Sequence, residues 1–292
     1  VSSKSTCTQG LLQSPINIKT NKTKKCEITC DATFYYKNSK CNLILSNKNF
    51  IIDYDQGSYI NFDHDVYELD KISFTNPSSH KIDNESYPLE AHLYHRSSNS
   101  GNILIVAVFI EINDAISKSS LFFNKFVNSI PEIKGKQISI NTPDDWNIFN
   151  ILPENKGYFL YKGSLPRYPC TENVCWIVME DTVNCTEKFY DKIRKISKNN
   201  ARNLKNINNR PIYYNNNNKT SRNYGNKLRC YTEKEFKNAC AKIAANKDII
   251  KYRSYKNLLI TITIITLVLF TLFIIWIIDT KFLKNKVDIL KY

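Results

Sequence analysis

The sequence predicts an α+β domain dominated by β structure, with peripheral helices, followed by one membrane-spanning helix. Three observations carry that expectation. From about residue 33 to 140, short alternating or apolar runs are separated by turn-rich stretches such as Asn76-Pro77-Ser78-Ser79 and Ser97–Asn102, the pattern of a many-stranded sheet. Ile103–Ile110 is apolar on both faces, as a central strand covered on both sides must be. Leu258–Ile278 is an unbroken run of apolar residues and Thr. At about 1.5 Å per residue it reaches roughly 31 Å, enough to cross a hydrocarbon core. A buried core helix is the other reading of that run, but nothing polar marks a solvent face.

In chain order, residues 1 to about 32 read as irregular and contain Gln13-Ser14-Pro15-Ile16-Asn17-Ile18. Strands are expected at Thr33–Tyr36, Leu43–Leu45, Phe50–Tyr54, Tyr59–Phe62, Ile72–Phe74, Ala91–His95, Ile103–Ile112 and Gln137–Ile140. Ser119–Ser129 and Trp146–Leu152 are expected helices, and Cys175–Met179 another buried strand. The domain is expected to occupy residues 1–230, a stalk 231–257 (part helical at Lys234–Ala245), the span 258–278 and a short internal tail 279–292.

Forty-one Lys and Arg against 27 Asp and Glu give +14, which favours polyanionic partners: nucleic acid, anionic lipid or sulfated glycan. Asn and Lys are plentiful and Gly is scarce, a bias that an AT-rich genome also produces, so charge alone decides nothing. Glu187–Arg229 holds twelve basic residues against Glu187 and Asp191, either a solvated charge run or part of a polyanion site. No stacking module of a nucleic-acid reader is visible, so nucleic acid is not an expected partner. Lys251, Arg253 and Lys256 before the span balance Lys281, Lys284 and Lys286 after it, so charge does not orient it. Only 14 residues follow the span, which puts the functional mass before it. Val1-Ser2-Ser3-Lys4 shows no signal sequence, which implies prior removal or tail-anchored insertion.

Nine cysteines, at 7, 26, 30, 41, 170, 175, 185, 230 and 240, all precede the span. Their density suits a disulfide-forming compartment, and the odd count leaves at least one free or intermolecular thiol. A zinc–thiolate site is the alternative, but no pair has CxxC spacing.

Four stretches, in order, resemble the α-carbonic anhydrase family: the Gln13–Ile18 segment, Glu90–His95, Tyr161-Lys162-Gly163-Ser164-Leu165 with Pro169-Cys170 and Cys175-Trp176-Ile177-Val178, and Asn209-Arg210-Pro211. The resemblance covers about residues 7–230 and implies a carbonic anhydrase-like fold, a large twisted, mostly antiparallel sheet with helices outside it. It also implies what is missing. The family's three zinc-binding histidines fall at Ser73, Thr75 and His92, and only His92 is a histidine. Neutral hydroxyls are poor zinc ligands. The gatekeeper threonine falls at Pro166, the glutamate that orients it at Ser79, and the proton-shuttle histidine at Lys48. A Lys ammonium, with a pKa near ~10.4, does not relay protons at neutral pH. No hydratase activity, metal or other cofactor is therefore expected. Glu90 sits where the family's carboxylate holds the third imidazole, and His80 matches a buried family histidine. His95 should face away from His92, and His64, between Asp63 and Asp65, should be exposed.

Lys48, Lys71, Arg96 and Arg167 fall at or near the mouth of the family's cleft. A cleft lined by one sign of charge focuses its field on an incoming anion, and guanidinium adds bidentate geometry for sulfate or carboxylate. The expected ligand is a sulfated glycosaminoglycan such as chondroitin sulfate. A carbonic anhydrase-like ectodomain without its ligand set, on a C-terminal anchor, is similar to the poxvirus cell-surface-binding proteins, which implies a virion-membrane adhesion protein. A protein-binding surface ligand and a zinc hydratase with unusual ligands are the alternatives. The family resemblance further implies a Cys7–Cys170 disulfide. Cys175 with Cys185, and Cys41 with Cys26 or Cys30, are further expected pairs. Cys230 and Cys240 are candidates for an interchain bridge in a homo-oligomer, which would raise avidity for a repeating glycan. Asn21, Asn84, Asn184 and Asn218 begin N-glycosylation sequons.

Overall fold

A computed structural model describes residues 3–26, 30–46, 49–140 and 146–216. The expected stalk, span and tail, with Cys230 and Cys240, lie outside the described residues, as does Lys48. Among the described residues no helix is long and apolar enough to cross a membrane.

The elements are α1 (Ser3–Gln9), β1 (Asn17–Ile18), β2 (Lys24–Lys25), β3 (Ala32–Tyr35), β4 (Asn42–Leu45), β5 (Phe50–Asp53), β6 (Tyr59–Phe62), β7 (Asp65–Thr75), β8 (Lys81–Ile82), β9 (Leu89–Ser97) and β10 (Ile103–Ile112). They continue with α2 (Lys118–Asn124), β11 (Gln137–Ser139), β12 (Tyr158–Ser164), β13 (Glu172–Met179), β14 (Val183–Cys185), α3 (Glu187–Ile196) and β15 (Tyr213–Asn215). One 13-stranded sheet runs β11-β4-β5-β7-β9-β10-β13-β12-β15-β2, with β3, β6 and β14 off that path. Most neighbours are antiparallel; β10 pairs in parallel with β13 and β14, and β15 with β2. The small β1–β8 pair stands apart.

The β10 run earns its central place. Leu104–Ile110 is buried throughout, with β9 on one side and β13 on the other. Alternation along these strands feeds two cores. Leu104, Val106, Val108 and Ile110 join the larger one with the α2 phenylalanines, Trp146 and α3, while Ile105, Ala107 and Phe109 join a smaller one with Phe159, Tyr161 and Trp176.

Several expectations need correction. The opening is not irregular throughout, since it contains α1, β1 and β2. The Ser119–Ser129 helix is shorter, because the capping box at Ser117 and Ser120 starts α2 and the chain tightens to a 3-10 turn at Val127–Ser129. Trp146–Leu152 yields only a 3-10 turn at Ile148–Ile151. The basic tract begins as an ordered helix capped by Thr186, which buries Phe189 and Ile193 one turn apart. Two of its arginines face inward. Arg202 donates to the carbonyls of Ser14 and Cys7, and Arg210 to those of Gln13, Lys162, Asn206 and Ile207.

The Cys7–Cys170 disulfide is present. The other pairings are overturned: Cys26 bonds Cys30, and Cys41, Cys175 and Cys185 are free thiols. Cys175 aligns with Leu104 and Cys185 with Ile112 along β10. Eight residues of strand, roughly 26 Å, keep them apart.

Candidate ligand-binding cleft

The β7–β9 register sets Ser73 opposite His92 and Thr75 opposite Glu90, so hydroxyls and imidazole share one face. The floor is a buried polar network. Glu90 Oε2 accepts from the Ser79 and His80 backbone N–H groups at 2.7 and 2.8 Å. Its Oε1 accepts from His80 Nδ1 at 2.6 Å and His92 Nε2 at 2.7 Å. His80 Nε2 lies 2.7 Å from the Tyr161 hydroxyl, itself 2.9 Å from Ser14 Oγ. Burial alone raises the Glu90 carboxyl, but the two imidazoles and the hydrogen bonds they donate outweigh it and hold it well below the usual carboxylate range.

His80, Glu90 and His92 have ligand-type atoms within 4.8 Å of one another, yet they do not form a metal cage. Separations of 2.6–2.7 Å are hydrogen bonds; donors held at about 2.0–2.1 Å around one tetrahedral ion stand farther apart than that. Both His80 nitrogens are engaged, and the free atom is His92 Nδ1, buried and without a hydrogen-bond partner. That atom suits the zinc the fold implies. Its companions do not. Ser73 stands beside Tyr94 in the cleft lining, and Thr75 Oγ1 accepts from Ser79 Oγ at 3.2 Å. Two neutral hydroxyls and one imidazole are not a zinc donor set, and no step through a metal follows from them.

Above this floor is a cleft of about 260 Å³ lined by Lys71, Ser73, Tyr94, Arg96, Pro166 and Arg167. Lys71 lies 5.7 Å over the Tyr94 ring and 3.6 Å from Asp70, the one carboxylate among the described lining residues. Arg167 is partly withdrawn from solvent, which lowers its pKa, and its Nη2 donates to the Asn200 carbonyl at 3.4 Å. Arg96, opposite Glu68 across the β7–β9 ladder, is exposed. Three of the four cations singled out in the sequence thus meet at one cleft. Asn49, which follows Lys48, lines it as well. Pro166 offers no side-chain hydrogen-bonding group there.

The other expected positions fall as follows. His95 faces the larger core: its Nδ1–H donates to the Leu93 carbonyl, so its Nε2 accepts from Tyr36 at 2.9 Å. His64 is exposed in the β6–β7 turn. Sequence reasoning misses Tyr94, Tyr161, Ser14 and Asn200. Only the Gln-Ser-Pro motif points toward Ser14, and the reason for that motif is visible at Gly163. A Cβ there would stand 2.0 Å from Ser14 Oγ and 2.9 Å from Trp176, so only glycine admits the segment.

A large twisted sheet carrying a Glu-held histidine on its central strands defines a carbonic anhydrase-like protein. A model of eukaryotic-type carbonic anhydrases matches residues 2–223, and the chain belongs to that family. It is 28% identical over 210 residues to a carbonic anhydrase of Nostoc, covering 70% of this chain and 76% of that protein. It is 25% identical over 220 residues to dioscorin DB3S of Dioscorea polystachya, covering 72% and 78%. Among solved structures, the α-carbonic anhydrase of Thermovibrio ammonificans in complex with sulfanilamide superposes with a TM-score of 0.67 at 27% identity, over 73% of this chain and 91% of that one. Residues 1–223 form one compact unit around their own cores, and the match accounts for nearly all of that solved chain, so this unit can fold by itself.

Proposed function

We propose that the chain is a non-enzymatic carbonic anhydrase-like module that binds a sulfated glycosaminoglycan, chondroitin sulfate, through the basic mouth of its cleft. The carrying observation is that Lys71, Arg96 and Arg167, from three separate segments, line one cleft; at its floor stand Ser73 and Thr75, where the family resemblance implies two metal-ligand histidines. A repeating sulfated chain offers anions at a spacing that several cations can engage together. The apolar run at 258–278 and the altered ligand positions support placing the module on a virion membrane as an adhesion protein, as in the poxvirus group it resembles. In that reading Cys230 and Cys240 link chains, and pairing of clefts raises avidity.

The test is binding of domain 1–223 to immobilised chondroitin sulfate across ionic strength. Affinity should fall steeply with salt. Lys71→Glu with Arg167→Glu should weaken it at least ~10-fold, the worth of one charge-assisted hydrogen bond at about 1.5–3 kcal/mol. Salt-independent binding to a protein partner would instead support a surface-ligand role, for which Tyr168, 68% exposed at the rim, is the available anchor. The unpartnered His92 Nδ1 and the kinship with carbonic anhydrases favour the alternative, a zinc hydratase with unusual ligands. Stoichiometric zinc in the purified protein together with carbon dioxide turnover would establish that alternative.

A further inference from the structure

A second, larger cavity of about 920 Å³ lies elsewhere in the domain. Along β12, Leu160 packs into the larger core, while Phe159 and Tyr161 pack into the smaller one beside Trp176 and the His92 network. Lys162 and Cys175 are cross-strand partners on the Leu160 side. Leu160, Tyr161, Lys162 and Cys175 form the cavity floor, beside the part of β12 that β15 leaves unpaired, and no residue of the cleft lines it. Phe62, Leu12 and Tyr213 supply apolar walls, and Lys24 and Lys25 stand at its edge on β2.

Its charge is one-sided. Lys24, Lys25 and Lys162 are exposed, and among the described residues none lies within ion-pair distance of a carboxylate, whereas Lys71, Lys118 and Lys192 are paired. Asp63 is the only acidic residue in the described lining. Arg210, also there, adds field but gives four of its five N–H donors to backbone carbonyls. Burial pushes the Cys175 thiol up to about 12, so the floor carries no negative charge at neutral pH. Lysines on an edge strand are a common guard against strand pairing, which accounts for Lys24 and Lys25. Lys162 also stands at an unpaired edge, since β15 pairs with β12 only over Tyr158–Leu160; edge guarding does not account for the convergence of all three lysines on one cavity.

We infer that this cavity is a second anion site, taking an organic anion whose sulfate, phosphate or carboxylate group meets Lys24, Lys25 and Lys162 while its apolar body rests on Leu160, Phe62 and Tyr213. The volume is at the upper end of the roughly 300–1,000 Å³ usual for small-molecule sites. Unneutralised cations over a low-dielectric wall attract an anion more strongly than the same cations in open water. The site is independent of the glycan reading of the cleft.

The experiment titrates domain 1–223 with 8-anilinonaphthalene-1-sulfonate, followed by fluorescence and calorimetry. Uncharged N-phenyl-1-naphthylamine serves as the comparator, and 1-naphthyl phosphate and 1-naphthoate as competitors that rank the headgroups. Saturable one-site binding is expected, weakened at least ~10-fold by Lys24→Glu with Lys162→Glu. Lys71→Glu with Arg167→Glu should leave it within about twofold, because the two cavities share no lining residue and salt screens the longer-range field. Thermal unfolding confirms that each variant is folded, and Lys24→Gln with Lys162→Gln replaces the charge reversal if it is not. Unchanged sulfonate affinity in the Lys24/Lys162 variant, or equal affinity for the uncharged amine, overturns the inference.

Discussion

Replacing Glu90 by Gln tests whether the buried network supports the domain. Glu90 is fully buried and accepts four N–H donors, two from backbone and two from imidazoles. A carboxamide is isosteric but offers one acceptor oxygen, so its NH2 must face donors on whichever side it turns. Removing one partner of a buried charged pair costs about 3–5 kcal/mol. At roughly 2–4 °C per kcal/mol for a domain of this size, melting should fall by roughly 6–20 °C at pH 7. The pH dependence has a definite sign. The folded Glu90 carboxyl titrates below its ordinary value of 4.5, so its contribution is complete above that pH and is lost as pH falls through the folded pKa. The gap between wild type and Glu90→Gln should therefore narrow in acid. Urea unfolding at pH 7 and pH 3 measures both effects. A variant melting within about 2 °C of wild type at pH 7 would refute a structural role for the network.

Other outcomes follow from the same structure. Cys7→Ser with Cys170→Ser opens a link of 163 residues in sequence separation, worth about 5 kcal/mol in the chain-entropy model, and should lower the urea midpoint without changing the secondary structure seen by circular dichroism. His95 is held neutral by burial, its pKa lowered from 6.5 to about 3. The unfolded chain then binds the extra proton, and stability should fall as pH drops below 6.5, by at most roughly 3 kcal/mol down to pH 4.5 at about 1.4 kcal/mol per unit. His95→Gln should flatten that slope in urea titrations. Ser73→His with Thr75→His should create a zinc site with His92 Nδ1, read by metal analysis and by melting in the presence of zinc, and His92→Ala should abolish it; no zinc uptake by the double variant would show that the floor has repacked beyond recovery.

The strands most legible in the sequence are those whose side chains are sorted by burial alone. Ile103–Ile112 can be placed to the residue because both its faces are covered over most of its length. β12 does not read as a strand, because Lys162, Gly163 and Ser164 carry a loop-like composition; its glycine answers to the approach of Ser14, which only tertiary structure reveals. The helix at Glu187–Ile196 has readable signals, a Thr cap and Phe189 and Ile193 one turn apart, but the charge around them dominates the pattern. The placing of Ser73 and Thr75 at the family's metal positions is an expectation from the family motif alone. That Thr75 is partnered by Ser79 is not legible there, because hydrogen bonds between side chains leave no periodic trace in sequence.

The Ser79 partner of Thr75 and the opening of Ser73 onto the cleft show how hydroxyls can stand at these two positions at little structural cost. Exchanging a ligand histidine for a hydroxyl risks leaving a buried polar group unpaired, at about 1–3 kcal/mol each. At Thr75 the Ser79 hydroxyl removes that risk, Ser73 borders the cleft, and within this network only His92 Nδ1 is buried without a partner. Glu90 has no such freedom, since its loss would strand the N–H groups of Ser79, His80 and both imidazoles at once. The supporting network is thus tied to folding while the ligand positions above it are not. Physical chemistry therefore permits the cleft's chemistry to drift while its shape persists, which is the condition under which cations at Lys71, Arg96 and Arg167 can give an old pocket a new ligand.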